Sequence, residues 1–92
     1  MTKYGVKYHP EVKTKDLLEI NPDMKARIKK AIEERLQVAP YDYGLPLRKS
    51  LKRYWKLRVG DYRIVYKIDN STVMILCICH RKKVYKVTEK RG

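Results

Sequence analysis

The residues from Lys52 to Tyr85 constrain this chain most. Three runs of strand-forming residues follow one another there, Tyr54–Val59, Tyr62–Ile68 and Val73–His80, joined by Gly60-Asp61 and by Asp69-Asn70-Ser71. Short links rich in Gly, Asp and Asn favour the positive-φ turns that connect antiparallel strands. Side chains then sort by a period of two. With Gly60 and Asp61 as the central turn residues, Val59 pairs with Tyr62 and Arg58 with Arg63. One face of the hairpin carries Trp55, Leu57, Val59, Tyr62, Ile64 and Tyr66, a core face. The other carries Tyr54, Lys56, Arg58, Arg63, Val65 and Lys67. Like charges placed opposite one another on a sheet repel, so Arg58 facing Arg63 calls for solvent or for a bound anion.

Charge sharpens that choice. The 92 residues hold 23 Lys+Arg against 10 Asp+Glu, a formal net charge of +13. Such a field attracts polyanions, either nucleic acid or an acidic protein segment. The length allows a single domain over residues 1–92 with a modest core. No apolar run is long enough to cross a bilayer and no signal peptide is visible, so the expected location is the cytoplasm, away from membranes. Cys77 and Cys79 lie two apart on one strand face, too far for a relaxed disulfide. They read as small buried hydrophobes in a reducing compartment. With only His80 beside them, no metal site and no cofactor is expected.

Upstream, Lys3–Tyr8 alternates weakly and reads as a first strand. A short helix from about Pro10 to Glu19 follows and is expected to bury Val12, Leu17 and Leu18. Asn21-Pro22-Asp23 is a strong helix start, with Asn as N-cap and Pro at the first helical position. Met24, Ile28, Ile32 and Leu36 then recur every four residues, giving an amphipathic helix that ends before Pro40. Ala39–Pro46 reads as a loop, with Tyr41 and Tyr43 over the helix end. Lys86–Gly92 reads as a basic tail. The expected fold is α+β in the order β-α-α-β-β-β, with two helices on the Trp55 face of a largely antiparallel sheet and the Lys56/Arg58/Arg63 face open.

Several stretches together resemble the RelE/ParE superfamily of toxins from type II toxin–antitoxin systems: Pro40…Gly44-Leu-Pro-Leu, Trp55–Ile68 (WKLRVGDYRIVYKI) and Ile75–Tyr85 (ILCICHRKKVY). The resemblance runs over nearly the whole chain and favours the RelE branch. That branch implies a metal-independent endoribonuclease that cuts messenger RNA in the ribosomal A site, using the RNA's own 2′-hydroxyl, and that an antitoxin neutralises. It implies Lys56 as base or electrostatic partner and Arg63 as the phosphate-stabilising arginine. Arg81 matches an active-site arginine, and Tyr85 matches a tyrosine that stacks on or orients the scissile nucleotide. Lys52, Arg53, Arg58, Lys82 and Lys83 are the expected RNA contacts.

Two positions depart from the pattern: Tyr54 stands where a second lysine falls, and Cys79 where a second C-terminal arginine falls. His80 is a candidate general acid, since histidine titrates near neutrality. Whether His80 or Arg81 points toward Arg63 hinges on strand register, assigned here to the Asp69–Ser71 loop. Tyr85 has an alternative role as a cap on the core, and His80 as an ordinary strand end. Two other readings stay open. One is a ParE-type toxin that inhibits DNA gyrase without cutting RNA. The other is a plain basic RNA-binding module.

Overall fold

The computed structural model describes residues 3–48, 51 and 53–92. Its centre is a five-stranded sheet in the order β1-β5-β4-β3-β2. The strands are β1 Gly5–Tyr8, β2 Leu45–Pro46, β3 Trp55–Val59, β4 Tyr62–Asp69 and β5 Thr72–His80. β1 runs parallel to β5, and the remaining pairs are antiparallel.

The β3–β4 register matches the sequence reading, with Val59 opposite Tyr62 and Arg58 opposite Arg63. Gly60 takes φ +60°, the left-handed conformation this two-residue turn requires. The β4–β5 link is also a two-residue turn, because Asp69 pairs with Thr72 and Asn70 takes φ +55°. Continued unbroken, that turn would set Arg63 opposite Ile78. Instead the register shifts between Val65 and Tyr66: Tyr66 pairs with Ile75 but Val65 with Cys77. Leu76 is the extra residue of a β-bulge, and it flips every later side chain of β5 to the other face.

Two helical segments cover the Trp55 face. The first comprises Val12–Asp16 and a tighter turn, Leu17–Glu19. It buries Val12 and half-buries Leu17, but Leu18 is 75% exposed, against expectation. The segment ends one residue later, so Leu18 falls on its outer side. The second is α1, Pro22–Ala31, whose axis continues through Ile32–Leu36. The Asn21 side chain accepts the Met24 backbone N–H at 2.8 Å, the expected N-cap. Ile28, Ile32 and Leu36 bury against Leu57, Val59, Ile64 and Tyr66 in the main core.

Ala39–Pro46 is more ordered than a loop. Pro40–Tyr43 forms one helical turn, α2, and Leu45–Pro46 pair with β3. Tyr66, buried at the sheet centre, donates its hydroxyl to the Pro40 carbonyl at 2.7 Å. A methyl on Gly44 would fall on that hydroxyl, within 2.8 Å of the Tyr66 Cζ, so only glycine fits there.

The opposite face is not open throughout. The expected basic tail is a helix, α3, Val84–Arg91. Val84 and the half-buried Val87 close a second core with Leu47, Leu51, Tyr54, Val65, Cys77 and Cys79. The two thiols lie 3.6 Å apart, and Thr88 sits 3.9 Å from Cys77. The hydrogen bond with Cys79, together with burial, pushes the Cys77 thiol up, so it stays a neutral packing group.

A charged clamp fastens α3. β1 stops at Tyr8, opposite Ile75, and among the described residues no strand neighbours the edge of β5 beyond that point. Asp16 accepts the Ile78 N–H at 2.9 Å, and Arg91 donates to the Leu76 carbonyl at 3.3 Å. Arg91 and Asp16 pair through two 2.8 Å bonds, and Glu11 lies 3.0 Å from the Arg91 Nε. The hydrogen bonds it donates to Asp16 hold the Arg91 guanidinium still further above its usual range. Among the described residues, no helix is long and apolar enough to cross a membrane.

Candidate functional site

The part of the second face that α3 leaves uncovered is cationic. Lys56 and Arg58 project from β3 and Arg63 from β4, on the same side of the sheet. They line a cleft of about 400 Å³ together with Arg35, Tyr43 and Leu45. The Arg63 guanidinium folds back on the hairpin turn and donates to the carbonyls of Gly60 at 3.2 Å and Tyr62 at 3.0 Å. Those bonds fix one end of its fork and stop the side chain from swinging away. Lys56 is half-buried, with its Nζ 5.8 Å from the centroid of the Tyr85 ring. Tyr85 sits in the first turn of α3 and is 39% exposed. The helix that the sequence reading missed is therefore what carries Tyr85 to Lys56.

The bulge decides the far end of β5. Cys79, not His80, stands opposite Arg63, and its thiol is buried in the second core. His80 pairs with Tyr62 and meets that ring edge-on at 5.9 Å. Its Nδ1 accepts the Lys82 N–H at 3.3 Å, capping the turn Arg81–Lys83. His80 thus lies on the opposite sheet face from Arg63, in a separate cavity lined by Asp16, Glu19, Tyr62 and Arg91. The structure does not bring it to the cationic cleft. Leu76, not the Asp69–Ser71 loop, sets this parity.

Arg81 opens the short turn Arg81–Lys83 that follows β5, beyond the alternation of the strand. Its backbone N–H donates to the Asp61 carbonyl at 2.8 Å, which tethers it to the hairpin turn that Arg63 also grips. Arg81, Lys82 and Lys83 are all exposed. Arg53 is exposed in the approach to β3, and Lys52 lies outside the described residues.

Three cleft residues escaped the sequence reading. Arg35 leans on the ring of Tyr43, 5.8 Å from its centroid, and both line the cleft with Leu45. The available signal was Pro40 followed by Gly44, a helical turn closed by glycine. That turn throws Tyr43 and Leu45 beside Lys56. Tyr41 instead meets Trp55 edge-on at 5.7 Å.

The arrangement is a cationic cleft with an aromatic wall on a small α+β scaffold, the chemistry of a site for a phosphate beside an unsaturated ring. Comparison with known proteins gives the scaffold its place. The family model described as ParE toxin of type II toxin-antitoxin system, parDE, matches residues 6–85. Toxin RelG of Mycobacterium tuberculosis is 34% identical over 74 residues, covering 78% of this chain and 85% of RelG. Toxin RelE3 of Methanocaldococcus jannaschii is 32% identical over 74 residues, covering 77% of this chain and 84% of that one. Among solved structures, the toxin–antitoxin complex RelBE2 of Mycobacterium tuberculosis matches with a TM-score of 0.79 at 32% identity, over 87% of this chain and 100% of that one. The RelB–RelE complex of Methanococcus jannaschii matches with a TM-score of 0.67 at 26% identity, over 87% and 95%. The chain belongs to the RelE/ParE superfamily of type II toxin–antitoxin toxins. Within it, the chain is a toxin of the RelE family.

Proposed function

We propose that this toxin is a metal-independent endoribonuclease that cuts messenger RNA in the ribosomal A site. The observation that carries the proposal is the convergence of Lys56, Arg58 and Arg63 on one cleft, with the Tyr85 ring over the lysine. In-line attack forms a bond from the RNA 2′-oxygen to phosphorus and breaks the bond from phosphorus to the 5′-oxygen. Its products are a 2′,3′-cyclic phosphate and a 5′-hydroxyl end. Lys56, beside Arg58 and Arg63 in the cleft, takes the 2′-hydroxyl proton or stabilises the alkoxide. Arg63 and Arg58 neutralise the extra charge on the phosphorane. Arg81 donates a hydrogen bond to the departing 5′-oxygen, which takes its proton from water, because a guanidinium does not give one up. Tyr85 stacks on the scissile nucleotide. Cys79, where related toxins carry an arginine, leaves Arg81 with this role, and His80 has no part in it.

The partner implied by this reading is an antitoxin with an acidic segment that occupies the cationic cleft, folds as it binds, and disturbs α3 at Tyr85. Purified toxin incubated with ribosomes and mRNA should yield cyclic-phosphate ends, and Arg63→Ala should reduce cutting by about 10²–10³-fold. Unchanged cutting by Arg63→Ala and Arg81→Ala would remove these residues from the site.

The match of residues 6–85 to a family described by ParE supports a second reading, a toxin that blocks DNA gyrase. Inhibition of supercoiling without RNA cleavage would favour it over the first.

A further inference from the structure

A second cationic groove, of about 570 Å³, lies between α1 and β3 and is lined by Arg27, Lys30, Arg35, Arg58 and Glu34 over Val59 and Gly60. Four cations surround one carboxylate. Among the described residues none of the four takes part in an ion pair, since those pairs involve Glu11 and Asp16.

Two features join this groove to the cleft. Arg35 and Arg58 line both. In addition, β2 is two residues long and pairs only with Trp55 and Lys56, so among the described residues no strand neighbours the edge of β3 from Leu57 to Val59. The two depressions are therefore one trough that rounds the open edge of the sheet. At its far end the Arg27 Nη1 lies 3.4 Å, and the Met24 methyl 3.0 Å, from where a Cβ of Gly60 would stand, so the guanidinium lies over the one turn residue that has no side chain. A backbone phosphate can approach a guanidinium placed this way, and three of the four cations are arginines, whose forks fit phosphate oxygens two at a time.

We propose that this groove is a second phosphodiester subsite, which holds the RNA strand that continues from the nucleotide in the Lys56 cleft. The inference rests on the RNA reading of that cleft and extends it. A polymer seated at Arg63 and turned by Arg58 runs directly onto Arg27 and Lys30. A dinucleotide ends before it reaches them. The groove thus serves chain length and affinity, and the cleft serves the scissile bond.

The test compares Arg27→Ala/Lys30→Ala with Lys7→Ala/Lys13→Ala, which removes the same charge at the β1 edge of the sheet. Binding of a fluorescent oligouridylate and of the dinucleotide UpU is measured across a salt series, with RNA cutting assayed in parallel. Losing two phosphate contacts should reduce the salt slope for the oligomer by about 1.4. UpU binding should be unchanged, and the β1-edge variant should match the wild type. An oligomer slope that does not fall, or that falls equally in both variants, overturns the subsite. So does a loss confined to an oligoglutamate competitor, which would assign the groove to an acidic protein segment. The two readings fail separately. A wild type that cuts RNA while the slope stays fixed refutes only the subsite. A slope that falls in a protein that never cuts refutes only the nuclease.

Discussion

Arg91→Ala should release α3 from the sheet while the rest of the fold persists. Ordering the eight residues of α3 costs roughly 8–16 kcal/mol of conformational freedom. Burying Val84, Val87 and the Thr88 methyl returns about 4–6 kcal/mol. The helix's own hydrogen bonds contribute about 4 kcal/mol net. Together these gains reach only the low end of that cost, and the clamp supplies the margin. Arg91 and Asp16 are each 9% exposed at the side chain, and removing one partner from such a pair costs about 3–5 kcal/mol because the other charge is left buried. Loss of even 3 kcal/mol corresponds to about a hundredfold more opening. Hydrogen exchange should therefore show amides of Val87–Arg91 exchanging about a hundredfold faster in Arg91→Ala, with β4 and β5 protected as before. Adding Asp16→Asn should recover part of the loss, since a neutral amide oxygen still accepts the Ile78 N–H. Exchange in α3 that stays as slow as in β5 would show that apolar packing alone holds the helix. A double variant weaker by the full sum of both single effects would show that the buried lone carboxylate is not the cause.

Two further outcomes follow from the fold. Gly44→Ala should lower stability by about 1–3 kcal/mol, read as a reduced urea midpoint, because the new methyl meets the Tyr66 hydroxyl. Gly44→Ala/Tyr66→Phe should recover some of it, and no recovery would place the strain elsewhere. Glu11 titrates below its ordinary 4.5, held down by the Lys15 hydrogen bond and by the charges of Lys15, Arg91 and His9. Because folding depresses this pKa, its contribution is present above pH 4.5 and is lost as pH falls through the folded value. The acid-side fall of the urea midpoint should be shallower in Glu11→Gln than in wild type, and identical slopes would count against the assignment.

What was legible in the sequence was local. Gly60-Asp61 dictated the Arg58–Arg63 pairing because the turn chemistry acts over two residues. Asn21-Pro22 and the Met24–Leu36 stripe dictated α1 for the same reason. Leu76 carries no such mark: one more apolar residue in an apolar run looks like any other, yet it turns Cys79 toward Arg63 and His80 away. α3 was hidden differently. Val84, Val87, Thr88 and Arg91 do keep helical spacing, but lysines and arginines dilute the stripe. The partner that secures it, Asp16, lies 75 residues from Arg91. The cleft was half legible: its β3 and β4 residues followed from strand parity, whereas Arg35 and Tyr43 arrive from separate elements.

The bulge and the clamp also bear on when this toxin comes into being. The Leu76 carbonyl and the Ile78 N–H are satisfied by Arg91 and Asp16, and β1 finds its place only against β5. Pairings this distant in sequence are slow to form. A polypeptide emerging from the ribosome from its first residue onward has its early strand and helices exposed with no sheet to receive them. The hairpin bearing Lys56 and Arg63 is synthesised before the helix that sets Tyr85 over it. Assembly of the cleft therefore waits for α3, and a partner that binds the half-made chain would meet separate pieces of the site rather than the site itself.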